Sequence, residues 1–155
     1  MSAAAFFDTS VLLGGLIDLG PSSAPAQRLM TAVASGQLRH VHTAWHCCLE
    51  FYAVATRLPE ELRLHPRDAW RLIDEELMGR FTVHQLSAAR HGPFLAAAAE
   101  ERIGGGRIYD AHIAEIARLA HADVVVTDNV RHFTGLTRHG VRVASAGDFV
   151  REIDD

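Results

Sequence analysis

The sequence predicts an α/β fold, a parallel sheet of four or five short strands flanked by helices, and three observations predict it. Short runs rich in β-branched or aromatic residues alternate along the chain with longer segments of helical periodicity. No internal repeat, low-complexity tract or linker interrupts the alternation, so one domain is expected over residues 1–155. The chain is 48% apolar, and a domain of 155 residues buries roughly 70% of its extended-chain surface, enough for a core between two helical layers.

The elements follow in order. Residues 3–8, AAAFFD, form a short apolar strand that ends at Asp8. Thr9 or Ser10 caps a helix over 10–19. SSAPAQRLMTAVASGQ is a second helix, with Ser23 near its start and Gly36 at its end. A brief strand is expected at 38–42 (LRHVH). TAWHCCLEFYAVATRL is apolar nearly all round, which predicts a central helix, and Pro59 closes it. Pro66 opens the next helix, PRDAWRLIDEELM, at its first position. RFTVHQL at 80–86 alternates as a half-exposed strand. SAARHGPFLAAAAEERI is helical, with an interruption expected at Gly92-Pro93. Gly104, Gly105 and Gly106 break the chain before the helix YDAHIAEIARLA. ADVVVT is a buried strand, VRVAS another, and AGDFVREI a last helix.

The N-terminal apolar run is short, lacks a basic lead-in and contains Asp8, so it reads as neither signal peptide nor membrane span. A cytoplasmic protein with no membrane partner is expected. The two cysteines, Cys47 and Cys48, are adjacent, which suits a core role in a reducing compartment better than a disulfide or a zinc ribbon. The net charge of −4 argues against a general nucleic-acid coat. It does not argue against a nuclease, whose metal-holding carboxylates count against the total. All fifteen basic residues are arginine. A GC-rich genome produces that bias, although arginine is also the better fork for phosphate.

Four acidic positions stand in or beside apolar stretches: Asp8 in AAAFFDTSVLL, Glu50 in AWHCCLEFYAVA, Asp110 in GGRIYDAHIAEIA, and Asp128-Asn129 in ADVVVTDNVRHF. Each has a plain structural explanation. Asp8 can cap the helix it precedes. Glu50 can pair with Arg57 or Arg107. Asp110 can answer a helix dipole, although it shares a stripe with Ile113, Ala114 and Ala117. Asp128 or Asn129 can cap the following turn. Burying a carboxylate costs several kcal/mol unless a cation compensates it. Four together in a chain without lysine point to a shared counter-ion, of which a divalent metal is the simplest. Ligands of parallel sheets gather beyond the carboxyl ends of the strands. Asp8 and the Thr127-Asp128-Asn129 group both lie where strands are expected to end.

FFDTSVLL, LEFYAVATR, YDAHIAEIA and VVVTDNVRHF, in this order, resemble the PIN domain, the small nuclease fold of the VapC family of toxins. The likeness spans essentially the whole chain. It implies a PIN-like fold and an endoribonuclease, most simply the toxin of a type II toxin–antitoxin pair. It further implies an antitoxin partner, a homodimer and an RNA substrate. Asp8, Glu50 and Asp110 fall on the family's first three acidic positions. The fourth, two residues after the threonine, is here Asn129, with Asp128 beside it. The resemblance therefore leaves open which of the two faces a metal, and how strongly a second ion binds. Ser10 and Thr127 match hydroxyl positions that support the acids. Oxygen donors suit Mg²⁺ or Mn²⁺ rather than zinc. Such an ion activates a water and neutralises charge on the scissile phosphate. Arg107 and Arg131 are candidates to hold flanking phosphates.

Two other readings stand beside this one. His42, His46 and Glu50 are spaced i, i+4, i+8, and on one helical face they would form a His/Glu metal-binding module. That reading is weakened if His42 belongs to the preceding strand. The other is a PIN fold of weak catalysis that binds RNA or a protein, which only the neutral Asn129 favours.

Overall fold

The protein is described by a computed structural model over residues 3–155. Its sheet has five parallel strands in the order β3-β2-β1-β4-β5. They are β1 (Ala5–Phe7), β2 (Val41–Ala44), β3 (Thr82–His84), β4 (Val124–Val126) and β5 (Arg142–Ala144). The helices are α1 (Thr9–Leu16), α2 (Ala24–Ser35), α3 (Trp45–Ala55), α4 (Pro66–Leu72), α5 (Ala88–Glu100), α6 (Arg107–Leu119) and α7 (Ala146–Asp154). A single 3₁₀ turn (Pro21–Ser23) leads into α2, α4 runs on as a π-helical stretch (Ile73–Met78), and a longer 3₁₀ segment (Val130–His139) links β4 to β5. The expected α/β class, with its parallel sheet between helices, is the architecture observed.

The chain builds β1, β2 and β3 outward in one direction, then crosses to β4 on the other side of β1. Phe6 pairs with His42 on one side and with Val125 on the other. The order therefore reverses between β1 and β4, and a crevice opens beyond the ends of those two strands. Both are fully buried, with Phe6, Phe7 and Val124 to Val126 all at 0% exposure. A strand covered on both faces has no use for alternation, which is why these runs are continuously apolar.

Several boundaries differ from expectation. The strand expected at 38–42 lies at 41–44, because the Leu38 amide donates to the Ala32 carbonyl and closes α2 instead of joining the sheet. Thr43 and Ala44, assigned to the helix, extend the strand. Helix α5 is not interrupted: it passes through Gly92 and Pro93. Proline removes only the hydrogen bond to Ala89, whose carbonyl is on an exposed stretch that water can serve, and Ala98 is the sole buried residue of the helix. Arg102, not one of the three glycines, closes α5. It takes φ 58°, while its amide and that of Ile103 return to the carbonyls of Ala99 and Ala98.

Helix α3 departs from expectation in a different way. Its apolar surface goes nearly all round, as a central helix requires, yet Trp45, Leu49 and Tyr52 are exposed. Cys47, Cys48, Phe51 and Ala55 face the core. Burial pushes the Cys47 thiol up to about 12, consistent with an inert packing role. No helix among the described residues is long and apolar enough to cross a membrane.

Candidate active site

Asp8 follows the last residue of β1, and its backbone amide donates to the Val126 carbonyl of β4 at 3.0 Å. That bond sets it at the switch point of the sheet. Its side chain is 4% exposed. One carboxylate oxygen accepts from the Thr9 amide at 2.8 Å, capping α1, and the other accepts from the Thr127 hydroxyl at 2.7 Å. Cap and candidate ligand are thus the same residue. Burial pushes the Asp8 carboxyl up to about 6, against the opposing pull of the Thr127 hydroxyl and the Thr9 amide. The charges of Glu50 and Asp110 push it further in the same direction. Three carboxylates from α3, α6 and the end of β1 therefore face one space.

Glu50, half-buried on α3, accepts from the Thr9 hydroxyl at 3.0 Å. His46, one turn earlier, lies 3.3 Å from the same oxygen. The His46 hydrogen bond, more than any other contact, holds the Glu50 carboxyl below its ordinary range. His46 in turn meets His112 of α6, ring nitrogen to ring nitrogen, at 2.7 Å. Asp110 lies in the first turn of α6, 3.0 Å from Nδ1 of His132. Its stripe faces inward as expected, with Ile113 and Ala117 buried.

At the fourth position the backbone is fixed and the side chains are exposed. The Asp128 amide donates to the Ser10 hydroxyl at 3.1 Å, and the Asn129 amide donates to the Thr127 hydroxyl at 3.0 Å. Thr127, fully buried, thus ties Asp8 to the turn after β4. Among the described residues the Ser10 hydroxyl is bonded to the backbone of that turn. Asp128 is not among the charges that raise Asp8. Arg107 and Arg131 are exposed, and neither makes an ion pair among the described residues.

The helical His42, His46, Glu50 face does not form. The helix starts at Trp45, so His42 stays in β2, where it pairs with His84 of β3 at 2.9 Å. Three contributors went unread in the sequence. Thr9 bridges Asp8 and Glu50, His112 backs His46, and His132 pairs with Asp110. The threonine carried a signal, standing between an acid and a serine. The histidines carried none, because their partners are distant in the chain.

Among the described residues no three His, Cys, Asp or Glu side chains stand in a group able to hold a metal ion as they are arranged. The chemistry of the donors nonetheless fits a hard divalent cation. They are oxygens, they repel one another, and among the described residues neither Glu50 nor Asp110 has an arginine ion pair, only a histidine neighbour.

Comparison with known proteins speaks to the family and the fold. A family model described as the PIN domain matches residues 4–131. Ribonuclease VapC27 of Mycobacterium tuberculosis (strain ATCC 25618 / H37Rv) is 38% identical over 104 residues, covering 65% of this chain and 71% of its own length. Among solved structures, VapBC2 from Rickettsia felis, bound to a promoter DNA fragment, superposes with a TM-score of 0.59 at 14% identity, over 91% of this chain and 97% of that one. Mycobacterium tuberculosis VapC20, a sarcin-ricin loop cleaving toxin, gives 0.59 at 16% identity, over 78% and 86%. At these identities the structures speak to the fold.

Proposed function

The chain belongs to the PIN-domain family, and on that premise we propose that it is a metal-dependent endoribonuclease, the toxin half of a toxin–antitoxin pair. The observation that carries the reading is Asp8: a nearly fully buried carboxyl, raised to about 6, at the switch point, with two further acids bearing on it. Such a group is poorly compensated by the protein alone and well compensated by a cation. The similarity to a curated ribonuclease supports the RNA substrate, and the resemblance of the sequence to the toxin family supports an antitoxin partner.

Asp8, Glu50 and Asp110 would hold Mg²⁺ or Mn²⁺, with Asn129 or Asp128 as a further oxygen donor. Bound there, the ion would lower the pKa of a water and neutralise charge on the scissile phosphate. The chain's own residues prepare the site. Thr9 and Thr127 lock both oxygens of Asp8, so its orientation costs no reorganisation when a ligand arrives. His46 keeps Glu50 ionised, and His132 holds Asp110 at the mouth. Arg107 and Arg131, without ion pairs among the described residues, would be available to the phosphates on either side.

Mg²⁺ or Mn²⁺ is expected to raise the melting temperature of the protein, and to raise that of Glu50→Gln by less. Cleavage of a labelled RNA should stop in EDTA and in Asp8→Asn. Equal thermal shifts in the two proteins would remove Glu50 from the site. Undiminished cleavage by folded Asp8→Asn in EDTA would overturn the reading.

A further inference from the structure

His46 stands one turn before Glu50 on α3, and His112 stands two residues after Asp110 on α6. The two imidazoles meet between the helices, Nδ1 to Nδ1, at 2.7 Å. The other nitrogen of His46, Nε2, lies 3.3 Å from Oε1 of Glu50. Both rings are held on their flanks. The His46 ring meets Tyr109 of α6 edge-on with centroids 5.6 Å apart, and the His112 ring meets Phe94 of α5 at 5.5 Å. These contacts place the protons. A neutral imidazole carries one N–H donor and one bare nitrogen. Two bare nitrogens repel at hydrogen-bond distance, and so do two N–H groups, so one proton lies between the rings. An ionised Glu50 can only accept, so Nε2 of His46 bears the hydrogen that faces it. A neutral His46 then has a bare Nδ1, and the bridging proton belongs to Nδ1 of His112. Burial, with His46 and His91 nearby, holds the His112 ring below its ordinary pKa, in the neutral form that this chain of donors requires.

We propose that His46 and His112 are a positioning pair for a divalent cation at the acidic cluster. His112 sets the tautomer of His46, His46 holds Glu50 by Oε1, and Oε2 is left as the ligand atom. The proposal rests on the metal-dependent reading and deepens it, naming two positioning residues and the oxygen they free. Its first support is the division of labour within the carboxylate. Oε1 faces both His46 and the Thr9 hydroxyl, while Oε2 has no partner among the described residues. Asp110 is built alike: Oδ2 faces His132, and Oδ1 has no partner among the described residues. A glutamate on a long side chain samples many rotamers, and holding one oxygen removes that freedom before a ligand arrives. Its second support is the span of the bridge. It joins α3 to α6, the elements that carry Glu50 and Asp110, and so opposes the repulsion between two acids that a cation has yet to screen. The bridge lies within one chain and does not depend on what covers the outer face of α3.

The test uses the full chain and two readouts, one of which needs no metal. In EDTA at about pH 8, above the ordinary histidine range, ring-nitrogen NMR should show His46 protonated at Nε2 alone and His112 at Nδ1 alone. In His112→Phe the His46 ring should lose this single tautomer. In calorimetric titration with Mn²⁺, His112→Phe should weaken binding by about ten- to hundredfold, the usual effect of removing an outer partner of a metal ligand. His112→Asn, whose amide nitrogen stands where Nδ1 stands, should restore most of that affinity. In a His46→Phe background, His112→Phe should cost nothing further, because His112 acts only through His46. Two protonated nitrogens on His46, the reverse tautomers, additive losses, or an Asn variant as weak as the Phe variant would overturn the proposal. So would losses of urea stability in EDTA that parallel the losses of Mn²⁺ affinity, which would leave the pair a purely structural tie. Mn²⁺ bound equally by the wild type and His112→Phe would overturn the positioning role and spare the metal reading. No Mn²⁺ binding by a wild type that shows the expected tautomers would overturn the metal reading itself, and with it the role built on it.

Discussion

Removing the charge of Asp8 should stabilise the metal-free protein, by an amount that depends on pH in a definite way. The rise from 3.8 to about 6 means that the folded protein pays about 3 kcal/mol above pH 7 to keep this carboxylate ionised, at about 1.4 kcal/mol per pH unit. Between those two pKa values the folded chain holds a proton that the unfolded chain has lost. Stability therefore falls as pH rises through that window, and the whole penalty is present above it. Asp8→Asn abolishes the penalty but weakens two hydrogen bonds. The amide oxygen still accepts from Thr9, and the amide nitrogen must donate to the Thr127 hydroxyl, reversing the present bond. Losing two charge-assisted bonds costs about 1–2 kcal/mol. The net gain at pH 7.5 is about 1–2 kcal/mol, or about 2–8 °C in Tm for a chain of this size. At pH 4.5 most of the penalty is already gone, and the difference between variant and wild type should shrink by about 2 kcal/mol. Urea denaturation of both proteins in EDTA, at the two pH values, measures it. A variant less stable at pH 7.5, or a difference independent of pH, would refute the argument that burial and neighbouring acids strain this group.

The fourth position and one helix contact give two further tests. Asn129→Asp adds a hard anionic donor and should strengthen Mg²⁺ or Mn²⁺ binding in calorimetric titration, while Asp128→Ala should change it little, since Asp128 does not bear on Asp8. Loss of affinity in Asp128→Ala, with no gain in Asn129→Asp, would reverse the assignment. In Gly15→Ala the new methyl would overlap Met30 Cγ and press on the Ala26 carbonyl oxygen at 3.0 Å, where α1 crosses α2. Overpacking should outweigh the helix-propensity gain and leave the variant about 1–2 kcal/mol less stable in urea; an unchanged or higher stability would show that α2 yields freely.

The parallel sheet and the ends of two of its strands were legible because β1 and β4 are buried on both faces, and FF and VVV can serve in few other ways, whereas the strand order that makes a switch point of them was not. Asp8 and the TDN group were legible for the same reason: a polar residue directly after such a run lies at a strand end. The edge of β2 was not, because LRHVH and VHTA are equally plausible four- or five-residue strands, and the choice between them is made by a tertiary fact, the Leu38 amide closing α2. Pro93 misled for a related reason. A proline breaks a helix where its orphaned carbonyl would be buried, and exposure is not written in the local sequence. The histidines were invisible for lack of range. His132 reaches Asp110 and His46 reaches His112 only once α6 lies across the crevice.

Helix α3 carries two apolar faces with different surroundings. Its inner face, Cys47 and Phe51, packs into the core and sets the depth of the helix. Its outer face, Trp45 and Leu49, is left apolar and uncovered, a cost that a purely structural helix would avoid by carrying polar residues there. Glu50 stands on the border between the two faces, bonded to Thr9 toward the cleft and, with Trp45, Leu49 and Tyr109, lining an apolar groove on the other side. The pattern that first suggested complete burial, apolar residues nearly all round a helix, therefore has a different cause. One part of the circumference is core and another is left exposed, and Glu50 stands where the two meet.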